Sequence, residues 1–302
     1  MKYVYKLAEE AAEVNANVLV CGEGGTGKEL IARMIHYGSE RAEGPFIAVN
    51  CAAVPAPLLR RELFGYAEME GPRDKESKAG GFEVAHGGTL FIDEISNLPM
   101  DVQAETVRVV ESMEFRRIGC REAVRGDVRT IASTSLALEG QVEREAFSQV
   151  LFRLISAMRI DIPPLRNRVE DIPLLSYHFL REFGGRVGKR VEKISREAMS
   201  LLQKYPWPGN VSELRNTIER AVLLAEERVI GLHDLSKWLS PGGVAAIGLP
   251  AWAGAEQPIP TLEEMKTKYM KKVLELCGGN KHRAAKILGI TPVTLWRRLG
   301  AG

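Results

Sequence analysis

Only four cysteines occur in the 302 residues (Cys21, Cys51, Cys120 and Cys277), and no two of them stand at a metal-ligand spacing. That excludes a cysteine-held metal and predicts buried, reduced thiols. His36 and His86 each stand alone, without a second ligand at metal spacing. Long apolar runs are missing as well. The most apolar low-charge stretch, GGVAAIGLPAWAGA, is too short and too broken by Gly and Pro to cross a bilayer. The opening residues MKYVYKLAEEAAEV are amphipathic and acidic, with no signal-peptide core. These absences predict a cytoplasmic protein without a membrane partner. No internal repeat is visible. Nor does one charge dominate, since 41 Lys and Arg face 39 Asp and Glu. That balance is the sum of two unlike parts. Thr261 to Gly302 holds nine basic and three acidic residues, and residues 1–260 hold 32 and 36. A basic tail on a mildly acidic body predicts a polyanion partner for the tail alone.

The length predicts two or three folded units. Over residues 1–165, short β-rich runs alternate with helical patterns: NVLVCG, PFIAVNC, GTLFIDEI, DVRTIAST and MRIDIPP. Each run is apolar through most of its length, as strands covered on both faces of a parallel sheet must be. The expectation is an α/β sandwich on five parallel strands. From Glu170 to Trp238 strand signals vanish, and residues 166–239 read as a helical subdomain. EDIPLLSYHFLREF, SREAMSLLQKY and VSELRNTIERAVLLAEE read as helices, the last two parted by the breaker PWPGN. Residues 240–260 hold four prolines and four glycines and read as a linker. Residues 261–302 read as a small all-α domain. Thr261 caps a first helix, and KHRAAKILGI and TPVTLWRRL form two short helices around Gly289, a helix-turn-helix pattern.

The stretch GEGGTGKE comprises Gly22, Glu23, Gly24, Gly25, Thr26, Gly27, Lys28 and Glu29, between the strand NVLVC and the helix ELIARMIHY. Glycines let backbone N–H groups turn inward as an anion cradle, and the helix N-terminus adds its positive end. Lys28 is expected to reach the outer phosphates. The general pattern has Ser or Thr after the lysine, and here Glu29 follows. A glycine-rich turn with a surface lysine is the competing reading. The strand TLFIDEI decides against it, because it delivers Asp93 and Glu94 to the carboxyl edge where open α/β sheets bind ligands. Asp93 is expected to hold nucleotide-bound magnesium, and Glu94 to polarise an attacking water. ATP and Mg2+ are the cofactors this predicts.

At the tail, Thr291, Thr294, Arg297 and Arg298 are spaced to point from the last helix into a major groove. Lys281, His282, Arg283 and Lys286 are placed to meet phosphates. A protein-docking module with a solvated basic face is the competing reading. The charge excess and the position after a linker favour double-stranded DNA.

At larger scale, GEGGTGKELIARMIHYGSERAEGPFIAVNCAAVPAPLLRRELFG, GGTLFIDEISNLP, FRRIG, DVRTIAST, IPPLRNRVEDIPLL and YPWPGNVSELRN resemble the AAA+ domain of bacterial enhancer-binding proteins, the activators of sigma-54 RNA polymerase. GGNKHRAAKILGITPVTLWRRL resembles their Fis-type DNA-binding domain. The resemblance covers nearly the whole chain except the linker. It implies an AAA+ P-loop NTPase sandwich, a helical lid, and assembly from dimer to hexameric ring with ATP at subunit interfaces. RNA polymerase is then a partner. In that family Glu commonly follows the phosphate lysine, which accounts for Glu29. Asn50 matches an asparagine that holds the catalytic glutamate off until needed. Arg153 matches the second of two arginines that reach a neighbour's ATP.

Several positions depart from the family. Where it has Gly-Ala-Phe-Thr-Gly-Ala, the loop that presses on sigma-54, Met69–Asp74 reads MEGPRD. This implies that the sigma-54 contact is lost. Phe147 or Ser148 stands at the first finger arginine, Ser135 at the sensing asparagine, and Ser212 at the lid arginine. A serine supplies neither the fixed charge nor the fork of donors of a guanidinium. Losing a cross-subunit arginine removes ~10³–10⁵ in phosphoryl-transfer rate, so weak or absent turnover is expected unless Arg144 or Arg215 compensates. The chain also begins late relative to the family's adenine-pocket segment. That leaves either a separate regulatory partner or a piece of a longer protein. Two functions follow: a regulator using ATP as a structural ligand, or a fully active hexameric ATPase that remodels sigma-54 polymerase.

Overall fold

The computed structural model describes residues 1–67, 77–120, 122–187, 191–225 and 228–239, with Met270, Leu274 and Ala285. The chain divides into two units, Met1–Trp238 and Leu239–Gly302, and the description below concerns the first.

Its centre is one parallel sheet of β1 (Val18–Cys21), β2 (Phe46–Asn50), β3 (Thr89–Asp93), β4 (Arg129–Thr134) and β5 (Met158–Asp161). The spatial order is β2-β3-β4-β1-β5. These are the five expected runs. Residues alternate between two faces, as the period of a strand requires. Leu19, Leu90, Ile92 and Ala132 enter one core with Leu59, Leu63, Phe64 and Phe82. Val18, Val20, Phe91, Ile131 and Ile160 enter another, under Val4, Ala8 and Ala11 of the first helix and Ile31, Ala32 and Ile35 of the second. Phe64 and Phe82 are fully buried and stacked at 5.6 Å between centroids. Burying a side chain of that size contributes about 1.5–3 kcal/mol. Because all five strands are parallel, their carboxyl ends meet at one edge, and the loops after β1, β3 and β4 share it.

The lid follows as helices Asp171–Val187, Arg196–Lys204, Asn210–Leu224 and Leu232–Leu239. Ser195 caps the second by accepting from Ala198 N–H at 3.1 Å. Leu214, Ile218, Ala221 and Val222 form the buried stripe of the third. Within PWPGN, Trp207 is wholly buried and its indole donates to the Leu202 carbonyl at 2.7 Å. The breaker is therefore pinned into the lid core.

The strand-free reading of 170–238 is corrected by a two-residue parallel pair, Lys193–Ile194 with Val229–Ile230. Two hairpins also had no sequence signal: Gly65–Tyr66 with Lys78–Ala79, and Glu114–Arg116 with Ala123–Arg125. Strands of two or three residues are too short for period-two alternation to register. Met69–Asp74 lies outside the described residues. So do the linker and Lys281, Arg283, Thr291, Thr294, Arg297 and Arg298 of the tail.

Candidate functional site

β1 ends in the glycine loop, which turns into the helix Lys28–Tyr37. Gly25 (φ 76°) and Gly27 (φ 99°) adopt left-handed conformations that side chains resist. A Cβ at Gly25 would stand 2.4 Å from the Gly209 carbonyl, so glycine is also what lets the lid approach. Thr26 is buried and closes the loop, its hydroxyl donating to the Glu23 carbonyl at 2.8 Å. Glu29 pairs with Arg33 one turn along the same helix, at 2.7 Å.

The Lys28 side chain is only 7% exposed. Its ammonium donates to the Gly22 carbonyl at 2.9 Å and the Glu23 carbonyl at 3.4 Å, and meets Glu94 Oε1 at 2.8 Å. All three of its donors are thus occupied.

Asn50 is the register partner of Asp93 across β2 and β3. Its amide accordingly donates to Asp93 Oδ2 at 2.7 Å, while its Oδ1 accepts from the Ala52 and Ala53 N–H groups. The resemblance implied an Asn50 contact with Glu94, and in this geometry the amide is engaged by the neighbouring Asp93 instead. Asp93 also accepts from the Ser133 hydroxyl on β4. Glu94 sits one residue past the strand at φ 52°, ψ 53°. A left-handed conformation in a non-glycine residue costs about 1–3 kcal/mol and persists only when its surroundings hold it. The Glu94 N–H donates to Ser133 Oγ at 3.1 Å, and Glu94 Oε2 accepts from Ser135 N–H at 3.0 Å and Ser135 Oγ at 2.7 Å. Burial pushes the Glu94 carboxyl pKa up, but the bonds from Lys28 and Ser135 outweigh it and hold the group below the ordinary range. The nearby Cys51 thiol is driven up to about 12, by burial first and by Asp93 and Glu94 next, which leaves it unreactive.

The lid closes the other wall. Asn210 is fully buried, and Val211 N–H donates to the Gly25 carbonyl at 2.9 Å. Asn210 Nδ2 donates to Glu23 Oε2 at 3.1 Å and to the Gly24 carbonyl at 3.0 Å. Arg166, at the start of the lid, pairs with Glu23 at 2.6 Å, and the largely buried Arg168 donates to the Thr26 carbonyl at 3.0 Å. Between the walls lies a cleft of about 630 Å³, lined by Lys28, Asn50, Asp93, Glu94, Ser212 and Arg215 among others. Arg215, the lid cation nearest in sequence to Ser212, is paired with Glu182 at 2.8 Å.

The structure thus brings together Gly24, Gly25, Gly27, Lys28, Glu29, Asn50, Asp93 and Glu94 around one cleft. The Glu23 side chain instead faces Arg166 and Asn210. Arg153, in the helix Gln149–Ile155, is exposed and has no ion pair among the described residues. Phe147 is buried in the core, and Ser148 caps that helix, so neither offers a charge there. Asn210, Arg166, Arg168 and Ser133 were not singled out as site residues. They make their contacts through tertiary folding, so sequence spacing carries no signal for them.

A nucleotide fits this cleft on its own geometry. Lys28 and the glycine loop supply the anion side. Asp93 and Glu94 supply hard oxygen ligands. Among the described residues no three His, Cys, Asp or Glu converge as a closed metal cage. Magnesium held partly by phosphates needs only one or two carboxylates from the protein.

Residues 1–161 match the family described as the Sigma-54 interaction domain. The chain belongs to that family. Beyond this sigma-54 interaction domain, residues 166–246 match the AAA+ ATPase lid domain, and residues 261–301 match Bacterial regulatory protein, Fis family. Regulatory protein AtoC of Escherichia coli (strain K12) is 40% identical over 300 residues, covering 99% of this chain and 65% of AtoC. Transcriptional regulatory protein ZraR of the same organism is 40% identical over 288 residues, covering 95% of this chain and 64% of ZraR. The chain thus spans just under two thirds of the length of these relatives. A crystal structure of NtrX from Brucella abortus in complex with ATP superposes with a TM-score of 0.77 at 33% identity, covering all of this chain and 67% of that one.

Proposed function

We propose that this chain is an ATP-binding, DNA-binding transcriptional regulator of the sigma-54 activator type, with its sigma-54-contacting loop lost and its ATP hydrolysis weak or absent. The observation that carries the reading is a phosphate-and-acid edge facing a lid helix that offers Ser212 at the family's arginine position. The relatives named as transcriptional regulators and the ATP complex of NtrX support the regulatory and nucleotide parts.

In this reading Lys28 and the loop N–H groups bind the phosphates, and Asp93 holds the accompanying magnesium. The ion, when bound with the phosphates, supplies charge neutralisation on their outer oxygens. Glu94 orients a water and accepts its proton, after release from Lys28. Arg153 reaches the nucleotide of a neighbouring copy in a dimer or ring. Without a lid guanidinium the developing phosphate charge is poorly matched. The Fis-type tail binds double-stranded DNA through Lys281, Arg283, Thr291, Thr294, Arg297 and Arg298, and RNA polymerase is the downstream partner.

A second reading, a fully active hexameric ATPase that remodels sigma-54 polymerase, is favoured by one observation: Arg153 is exposed and without an ion pair among the described residues. ATP turnover measured across protein concentration, with Lys28→Ala as control, separates the two. ATP bound and not turned over supports the regulator. Turnover that rises steeply with concentration and vanishes in the control supports the motor.

A further inference from the structure

We infer that Ser135, rather than Asn50, positions Glu94, and that through Glu94 it holds Lys28 back from incoming phosphate. The inference deepens the proposed nucleotide site and rests on that reading. Three observations carry it. Both Ser135 donors, the N–H and the hydroxyl, converge on one oxygen of Glu94, Oε2, at 3.0 and 2.7 Å. The other oxygen, Oε1, takes the Lys28 ammonium at 2.8 Å, so the carboxylate bridges β4 and the glycine loop. Asn50 is spent on Asp93 and on the Ala52 and Ala53 N–H groups.

The physical consequence is a competition for one cation. With its three donors satisfied by two carbonyls and Glu94, Lys28 must give up at least one partner to meet a phosphate. All three bonds are charge-assisted by the ammonium, and Glu94 alone among the partners brings a negative charge that competes with phosphate for the cation. Glu94 stands on a single left-handed residue after the strand and would otherwise turn toward the open cleft and its water. Anchoring Oε2 is what keeps Oε1 on the lysine. Ser135 is therefore a positioning residue that sets the resting grip on Lys28. Phosphate binding to Lys28 frees Glu94 for its own task.

The test is the affinity of the full chain for a fluorescent non-hydrolysable ATP analogue with magnesium, which does not depend on turnover. Ser135 is exposed, so Ser135→Ala is a mild change that leaves the fold intact. It is expected to tighten the analogue about threefold to tenfold, as is Glu94→Gln. The double variant is expected to be no tighter than Glu94→Gln alone, because the two act through one contact. Ser135→Thr, which keeps both donors, restores wild-type affinity. The matching cycle of Asn50→Ala with Glu94→Gln is expected to be additive within about twofold. Unchanged or weaker binding in Ser135→Ala, or additivity with Glu94→Gln, overturns the inference. Failure of the wild type itself to bind the analogue overturns instead the nucleotide reading beneath it.

Discussion

Asn210 joins the lid to the phosphate loop with one side chain: its amide nitrogen lies 3.1 Å from Glu23 Oε2 and 3.0 Å from the Gly24 carbonyl, and its Oδ1 accepts from Leu165 N–H at 2.8 Å. It does so at φ 52°, in the left-handed region that Asn tolerates better than most residues. Asn210→Ala removes three hydrogen bonds, leaves the Leu165 N–H and Gly24 carbonyl short of a partner, and keeps the strained backbone. The expected loss is about 2–4 kcal/mol in a denaturant titration. A change within about 0.5 kcal/mol would mean that the lid is held by packing alone.

Glu23 gives the same junction a pH dependence. The Arg166 hydrogen bond, then that from Asn210, lowers its carboxyl from 4.5 to about 2. A depressed carboxylate stabilises the folded state above its unfolded pKa, and that contribution is lost as pH falls through the folded value. Arg166 and Glu23 are each more than a third exposed, so solvent screening keeps the effect small. The denaturation midpoints of wild type and Glu23→Gln should differ at neutral pH and converge between about pH 4.5 and pH 2. A constant gap across that window would remove Glu23 as its source.

The five sheet strands were legible as continuous apolar runs, and the first three lid helices by their helical period, whereas the short helix Leu232–Leu239 was not read. Lys28, Asp93 and Glu94 were legible for a related reason: a glycine loop and an acid pair at strand ends are local patterns with local causes. The details that decide chemistry were not local. Asn50 engages Asp93 because β2 and β3 pair in that register, which sequence spacing does not specify. Ser135 reads as a lost asparagine in sequence, yet in space it clamps Glu94 across 41 residues. Asn210 sits inside a breaker whose residues signal only a turn.

The charged stretch Met69–Asp74 carries a prediction about partners. In the proposed reading, MEGPRD stands where the family's loop presses on sigma-54 through an aromatic and small residues. Purified chain with ADP, magnesium and aluminium fluoride is expected to fail to retain sigma-54 on size-exclusion chromatography. A stable ternary complex would restore the motor reading.

The tail is tested through Arg297, expected on the base-facing side of the last helix. Arg297→Ala should weaken binding to the specific operator by about 1–3 kcal/mol while leaving random-sequence duplex nearly unchanged. Equal loss on both DNAs would make it a phosphate contact.

Ser212 offers the most direct trial of the retired-motor reading, because the lost group can be put back. It is exposed on the cleft wall near the start of the helix Asn210–Leu224, so a longer side chain has room to extend toward the phosphates. Arg215, one turn on, is tied to Glu182 and so does not already supply that charge. Ser212→Arg should raise ATP turnover by roughly an order of magnitude at fixed protein concentration, well short of the ~10³–10⁵ of a cross-subunit arginine. Analogue affinity should change less than turnover, because a guanidinium matched to developing charge acts more on the transition state than on the bound nucleotide. If turnover stays flat while affinity rises, the missing lid arginine is not what limits hydrolysis, and the deficit lies at the finger position where Phe147 and Ser148 stand.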